Sequence, residues 1–224
     1  MRDDICTIPV SEIFEVQDGC PICRMYNTVE ERIIDYIMGD AMMEPDVRIE
    51  TNKAGFCLNH YDKMMSHRGR LQLALMIETH LKSINEEIFG KKLFNSADKK
   101  AQKVGKLNDS CFICNKIEWG TTRLIDTIYR SYEKESDFRQ LFNSQPQFCM
   151  PHFKLLVGGA DKHKMPRYHK EFENNILRIT EEYAKSLCDD VSKYCSMYDY
   201  RSNTPDADWG NSKDSVERAI KFLR

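Results

Sequence analysis

Proline and glycine are scarce in this 224-residue chain, at 7 and 10 residues. Few turns can be built from such a composition, which leans towards helix. Long apolar runs are missing as well. The longest unbroken one covers residues 73–77, far short of the ~20 residues that cross a bilayer, so no membrane span is expected. Neither sign of charge dominates: 33 Lys and Arg face 35 Asp and Glu, a formal net charge of −2. That balance argues against a dedicated DNA coat or a polybasic membrane binder. The first residues carry Asp3 and Asp4 and no apolar stretch, so no signal peptide is expected. Dinucleotide, P-loop, nucleophile-elbow and H-E-x-x-H motifs are all lacking. No sustained alternation of period two appears, which leaves an all-α fold as the expectation. With 41% hydrophobic residues, the chain can still build a packed core.

Cysteine is abundant instead. Nine cysteines in a chain with no visible export signal point to a reducing, cytoplasmic setting, and an odd number closes no full disulfide set. Six of them repeat a pattern. Cys20-Pro-Ile-Cys23 is followed by Cys57-Leu-Asn-His60, and Cys111-Phe-Ile-Cys114 by Cys149-Met-Pro-His152. The spacers match, 37 positions from Cys20 to Cys57 and 38 from Cys111 to Cys149. Similarity extends beyond these residues. Arg32, Ile34, Asp35 and Ile37 correspond to Arg123, Ile125, Asp126 and Ile128, and Phe56-Cys57 corresponds to Phe148-Cys149. An internal duplication is the natural reading.

The expected organisation is a first helical repeat over 1–90, a Lys-rich linker over 91–110, a second repeat over 111–200 and a tail over 201–224 with a short helix. Met25, Val29, Ile33, Tyr36 and Ile37 share one helical face. Short helices are expected after Pro45 and over 58–66. A longer one is expected over 69–89 with the stripe Ala74, Ile77, Leu81, Ile84 and Ile88. The second half repeats the scheme and ends in a helix from Pro166 to about Tyr198, with the stripe Phe172, Ile176, Ile179, Tyr183 and Leu187. Residues 1–19 show little periodicity. Each repeat is expected to hold its own metal site, and the two long helices to pack together in one shared core.

A C-x2-C turn aims two thiolates at one point, and a Cys and a His three apart share the first turn of a helix. Three thiolates and a neutral imidazole are a tetrahedral donor set, with zinc as the expected ion, two per chain. Cys20, Cys23, Cys57 and His60 are expected to form one site; Cys111, Cys114, Cys149 and His152 form the other. An iron–sulfur cluster or a dithiol redox pair is the alternative. Arg48 or Asn52 can support the first site from outside, or simply finish a turn. Glu30-Glu31 and Glu181-Glu182 read as solvated helix faces. Cys188 and Cys195 read as core packing, and Cys6 has no partner in spacing. His80 reads as a satisfied, partly buried histidine, whereas His67, His163 and His169 read as surface residues. Met38, Met42, Met43, Met64, Met65 and Met76 read as filling of core gaps.

The segments Cys20-Pro-Ile-Cys23, Asp46-Val-Arg48, Thr51-Asn52, Gly55-Phe-Cys57 and His60-Tyr61, with the tail Tyr198-Asp-Tyr-Arg201, Trp209-Gly-Asn and Asp214-Ser-Val-Glu-Arg218-Ala219, resemble an uncharacterised bacterial family, the domain of unknown function 6062 family. The resemblance covers nearly the whole chain. It implies a bacterial cytosolic setting and no particular activity. The leading functional expectation is a zinc-stabilised interaction or regulatory module with an unidentified protein partner. The competing one is a metalloenzyme or thiol redox protein using one of the sites. Neither a membrane nor nucleic acid is the expected partner.

Overall fold

The structure, a computed structural model, describes residues 10–67, 69–90, 96–199 and 207–224. Cys6, Lys91, Lys92 and the start of the tail loop at Asn203 lie outside the described residues. Every regular element among those described is helical. In chain order these are α1 (Val10–Glu15), α2 (Pro21–Met38), α3 (Pro45–Ala54), α4 (Leu58–Ser66), α5 (Arg70–Ile84), α6 (Ala97–Asn108), α7 (Phe112–Lys134), α8 (Ser136–Asn143), α9 (Met150–Gly159), α10 (His169–Ser196) and α11 (Ser215–Leu223). Among the described residues no helix is long and apolar enough to cross a membrane. Pro45 and Pro151 stand in the first turns of α3 and α9, where a missing N–H removes no helix bond.

The two halves of the sequence present their elements in the same order. A C-x2-C segment opens α2 and α7, a shorter helix follows in each (α3, α8), a C-x2-H segment opens α4 and α9, and α5 or α10 comes next. Residues 160–168, between α9 and α10, form a longer connection than residues 67–69 between α4 and α5.

The chain divides into two compact units, and the divisions fall inside α2 and α7. A middle unit holds Tyr26–Thr122; a flanking unit holds the described residues of Ile8–Met25 together with Arg123–Arg224.

In the middle unit, α2 buries Val29, Ile33 and Ile37, α4 buries Met64, and α5 packs on α3 and α4. The long helix forms where expected, with a wider, π-type turn at Asn85–Phe89 extending α5. Ile88 of the expected stripe is buried, but over residues 73–81 the buried face is set one residue away from it. Leu73, Met76 and His80 are buried, while Leu81 is exposed and Ala74 faces solvent. His80 explains the offset. Its Nδ1–H donates to the Asn52 carbonyl at 2.8 Å, so an imidazole takes a place on the inward face that a purely apolar stripe assigns to a hydrocarbon. The Lys-rich segment forms α6. Ser96 caps it by accepting the Lys99 N–H, a favoured use of a serine hydroxyl, and no residue of α6 is buried.

The flanking unit is built around aromatic rings. Phe142 packs 4.9 Å from both Phe148 and Phe172 and 5.1 Å from Tyr132, centroid to centroid. Residues 10–15, which lack a legible period, form α1, which buries Val10, Ile13 and Phe14. Phe14 meets Phe138 and Phe142 at 5.1 and 5.7 Å, and its carbonyl accepts from Gln145 Nε2 at 2.6 Å. One turn and a half is too short to show periodicity, so packing on α8 makes this helix. The stripe on α10 buries Phe172, Ile176, Ile179 and Leu187 as expected. Cys188 and Cys195, by contrast, are exposed. Seven residues apart, they share a face, but Leu187 marks the inward face and Cys188 lies about 100° around the helix from it.

Candidate metal centres

Each C-x2-H segment is assembled by the start of a helix. Cys57 and Cys149 stand in extended backbone immediately before α4 and α9. The histidine three residues on therefore lies in the first turn, with its Nδ1 3.1 Å from Cys57 Sγ in one case and 3.0 Å from Cys149 Sγ in the other. The C-x2-C segments likewise open α2 and α7. Four helix starts carry the eight side chains, which suits thiolates, since amide dipoles converge there.

All eight expected side chains gather into two clusters, but the pairing is crossed. Cys20 and Cys23 meet Cys149 and His152 in the flanking unit; Cys57 and His60 meet Cys111 and Cys114 in the middle unit. The expectation that each repeat closes its own site is therefore corrected. The local cause is visible in the middle unit. Gly55 adopts a positive φ of 60°, which glycine tolerates at little cost, and a Cβ there would lie 3.0 Å from His80 Nε2. Its carbonyl accepts the Phe112 N–H at 2.9 Å, and Ser110 Oγ donates to the Ala54 carbonyl at 2.7 Å. These two bonds tie the residues on either side of Cys111 to the segment just before Cys57.

The donor atoms have the spacing of a single four-coordinate ion. Zn–S of about 2.3 Å and Zn–N of about 2.0–2.1 Å at tetrahedral angles imply S···S edges of about 3.8 Å and S···N edges of about 3.6 Å. In the middle cluster, Cys57 and Cys114 Sγ are 3.9 Å apart, and His60 Nδ1 lies 3.2 and 3.4 Å from Cys111 and Cys114 Sγ. In the flanking cluster, Cys23 and Cys149 Sγ are 3.5 Å apart, and His152 Nδ1 lies 3.6 and 3.3 Å from Cys20 and Cys23 Sγ. Within each cluster all donor atoms lie within 4.8 Å of one another. Sulfurs bound to different irons of an iron–sulfur cluster stand farther apart, because inorganic sulfide lies between the irons.

So many donors at close quarters share protons. Hydrogen bonds from Cys149 and Cys23 hold the Cys20 thiol far below its ordinary range, against the opposing effect of burial. Cys23 is pushed far above that range by its bonds with Cys149 and Cys20 and by burial. For His152, burial disfavours the imidazolium, yet bonds to Cys149 and Cys20 outweigh it and raise the group to about 9. A divalent cation would replace these shared protons and let all three thiols ionise together.

One supporting residue was not legible in the sequence. Glu30, expected on a solvated face, accepts from His60 Nε2 at 2.9 Å and also pairs with Lys63. The carboxylate fixes the proton on Nε2 and leaves the Nδ1 lone pair facing the sulfurs, the arrangement that orients a metal-binding histidine. A carboxylate separated from His60 by 30 positions gives no sequence signal beyond its place on α2. Arg48 and Asn52 serve elsewhere: Arg48 Nη2 donates to the Leu75 carbonyl at 2.9 Å, and Asn52 Oδ1 accepts from Thr79 Oγ1 at 2.9 Å. Both bonds join α3 to α5 instead of reaching sulfur. Among the other expected residues, His67 pairs with Asp35 at 3.1 Å, His169 with Glu173 at 3.5 Å, and His163 is exposed. Met38, Met64 and Met76 fill the core, whereas Met43 and Met65 are exposed.

Comparison with curated proteins and with solved structures finds no match to the chain. The model of a family of unknown function (DUF6062) matches residues 1–224, the whole length, and the chain belongs to that family.

Proposed function

We propose that this protein binds two zinc ions in closed Cys3His centres and works as an interaction or regulatory module whose shape the metals maintain. Cys20, Cys23, Cys149 and His152 hold one ion; Cys57, His60, Cys111 and Cys114 hold the other. The observation that carries this reading is the agreement of both clusters with the edges of a metal-centred tetrahedron. Four protein donors complete such a centre, leaving no position for water or substrate, which favours a structural role over catalysis. Thiolate and imidazole together select zinc among the abundant divalent ions, and the compactness of both clusters favours one ion over an iron–sulfur cluster. The repeated element order, each C-x2-C helix followed by a C-x2-H helix, supports descent from a duplicated ancestor whose halves exchanged ligands.

The test is elemental analysis with native mass spectrometry on protein purified anaerobically without added metal. Two zinc ions per chain are expected in colourless protein. Brown protein with acid-labile sulfide, or a chain carrying no metal, overturns the reading.

A further inference from the structure

We infer that Cys114 and Cys57 form a peroxide-reactive pair whose oxidation to a disulfide opens the middle centre and leaves the flanking centre intact. The inference rests on the two-metal reading, since a metal-held sulfur is a thiolate, and on the thiol geometry for the choice of pair.

The two clusters present their sulfurs to solvent very differently. Cys114 is exposed and Cys57 half-exposed, whereas Cys111 is 4% exposed. In the flanking cluster, Cys20 and Cys149 are 8% and 2% exposed, and Cys23 is the one half-exposed sulfur. A peroxide must reach sulfur in line with its O–O bond, so access selects Cys114 first. Its nearest accessible partner is Cys57, 3.9 Å away between sulfurs. The two lie on separate segments, Cys57 before α4 and Cys114 in the first turn of α7, and a disulfide requires closure to about 2.05 Å. The surroundings assist. Leu58, next to Cys57, is 76% exposed and leaves that end of α4 open.

The chemistry balances with a peroxide as oxidant. The Cys114 thiolate attacks one peroxide oxygen; an S–O bond forms, the O–O bond breaks, and the leaving hydroxide takes a proton from solvent. The Cys57 thiolate then attacks the sulfenic sulfur; an S–S bond forms, the S–O bond breaks, and a second water leaves after protonation. Two thiolates lose two electrons and the peroxide gains two. An ion in the middle centre would then keep only Cys111 and His60 as donors, too few to hold it. A small dithiol reverses the step.

The experiment uses full-length protein carrying Cys6→Ser, Cys188→Ser and Cys195→Ser, so that only the six clustered cysteines remain. Hydrogen peroxide is added stepwise, released metal is read with a chromophoric chelator, and disulfides are mapped by peptide mass spectrometry. The expected result is one ion released per chain with a Cys57–Cys114 disulfide, and rebinding of one ion after dithiothreitol and zinc. Release of both ions together, a Cys111–Cys114 disulfide, or first oxidation at Cys23 overturns the inference. Elemental analysis of the untreated protein tests the two-metal reading separately, and the disulfide map identifies the pair in the metal-loaded protein.

Discussion

In the flanking cluster, Cys149 is 2% exposed and Phe148 beside it is fully buried against Phe142. In the middle cluster, Phe56, which matches Phe148 in the repeat, is half-buried, and Cys114 lies at the surface. Both clusters carry the same donors from one C-x2-C and one C-x2-H segment, so the difference in exposure comes from what packs behind them. Among the described residues eight aromatic side chains, Phe14, Tyr129, Tyr132, Phe138, Phe142, Phe148, Phe172 and Phe222, are buried in the flanking unit. Beside its cluster the middle unit packs Phe56 against Tyr61 and Phe112 at 5.5 and 6.3 Å and adds a charged relay, His60 to Glu30 to Lys63. The repeated motifs set which residues could hold an ion; what packs behind them sets how open each cluster is to solvent.

Removing both metals should have the largest effect. Structural zinc contributes on the order of 10–16 kcal/mol in small metal-folded peptides, an upper guide for a chain with its own core. Chelation should lower the melting temperature sharply and proceed in two phases, one ion leaving the middle centre before the other. A single phase followed by a chelator assay would erase the contrast between the centres.

Single ligand changes should divide the two centres next. Cys149→Ser and Cys114→Ser should each reduce bound metal by one ion. Loss of the buried ligand should cost about 4 kcal/mol or more, in the range typical of metal loss, and loss of the exposed one clearly less. Equal shifts in urea unfolding midpoint would show that burial does not set the contribution of a centre. Glu30→Gln should weaken the middle centre alone, by roughly 10–100-fold in metal affinity, the usual consequence of losing a carboxylate behind a histidine ligand. Competition with a chromophoric chelator reads it, and unchanged affinity would remove Glu30 from the account. Smallest of all, Cys195→Ser should stay within about 0.5 kcal/mol of the parent by thermal unfolding, as for most exposed sites. Cys57→Ser must exceed it for Cys57 to be a ligand.

The helices around the clusters were legible because each has a motif or a stripe long enough to show a period. The starts of α3 and α9 follow from Pro45 and Pro151, the start of α4 from the Cys57 segment, and the inward face of α10 from Phe172 to Leu187. Which C-x2-C meets which C-x2-H was not legible. Spacers of 37 and 38 positions allow either pairing, and the choice falls to bonds such as Phe112 N–H to the Gly55 carbonyl, between residues 57 positions apart. The phase of α5 was hidden by a histidine on its inward face, and α1 by its brevity. Glu30 was hidden because a carboxylate on a helix looks the same in sequence whether it meets solvent or an imidazole.

The crossed ligands also nest. Read along the chain, the pair at 20 and 23 opens, the middle centre opens and closes between 57 and 114, and the first pair is completed only at 149 and 152. The middle centre closes a loop of 51 positions from His60 to Cys111, the flanking centre one of 126 from Cys23 to Cys149. Loop entropy alone then favours closing the shorter one first by about 0.8 kcal/mol, and its closure shortens the path the longer one must span. A chain cut within 91–95 would give two fragments, each holding half the donors of both centres and all the donors of neither. Such fragments would have to find one another before either centre could form, so metal uptake by the mixed halves should be second order in fragment concentration.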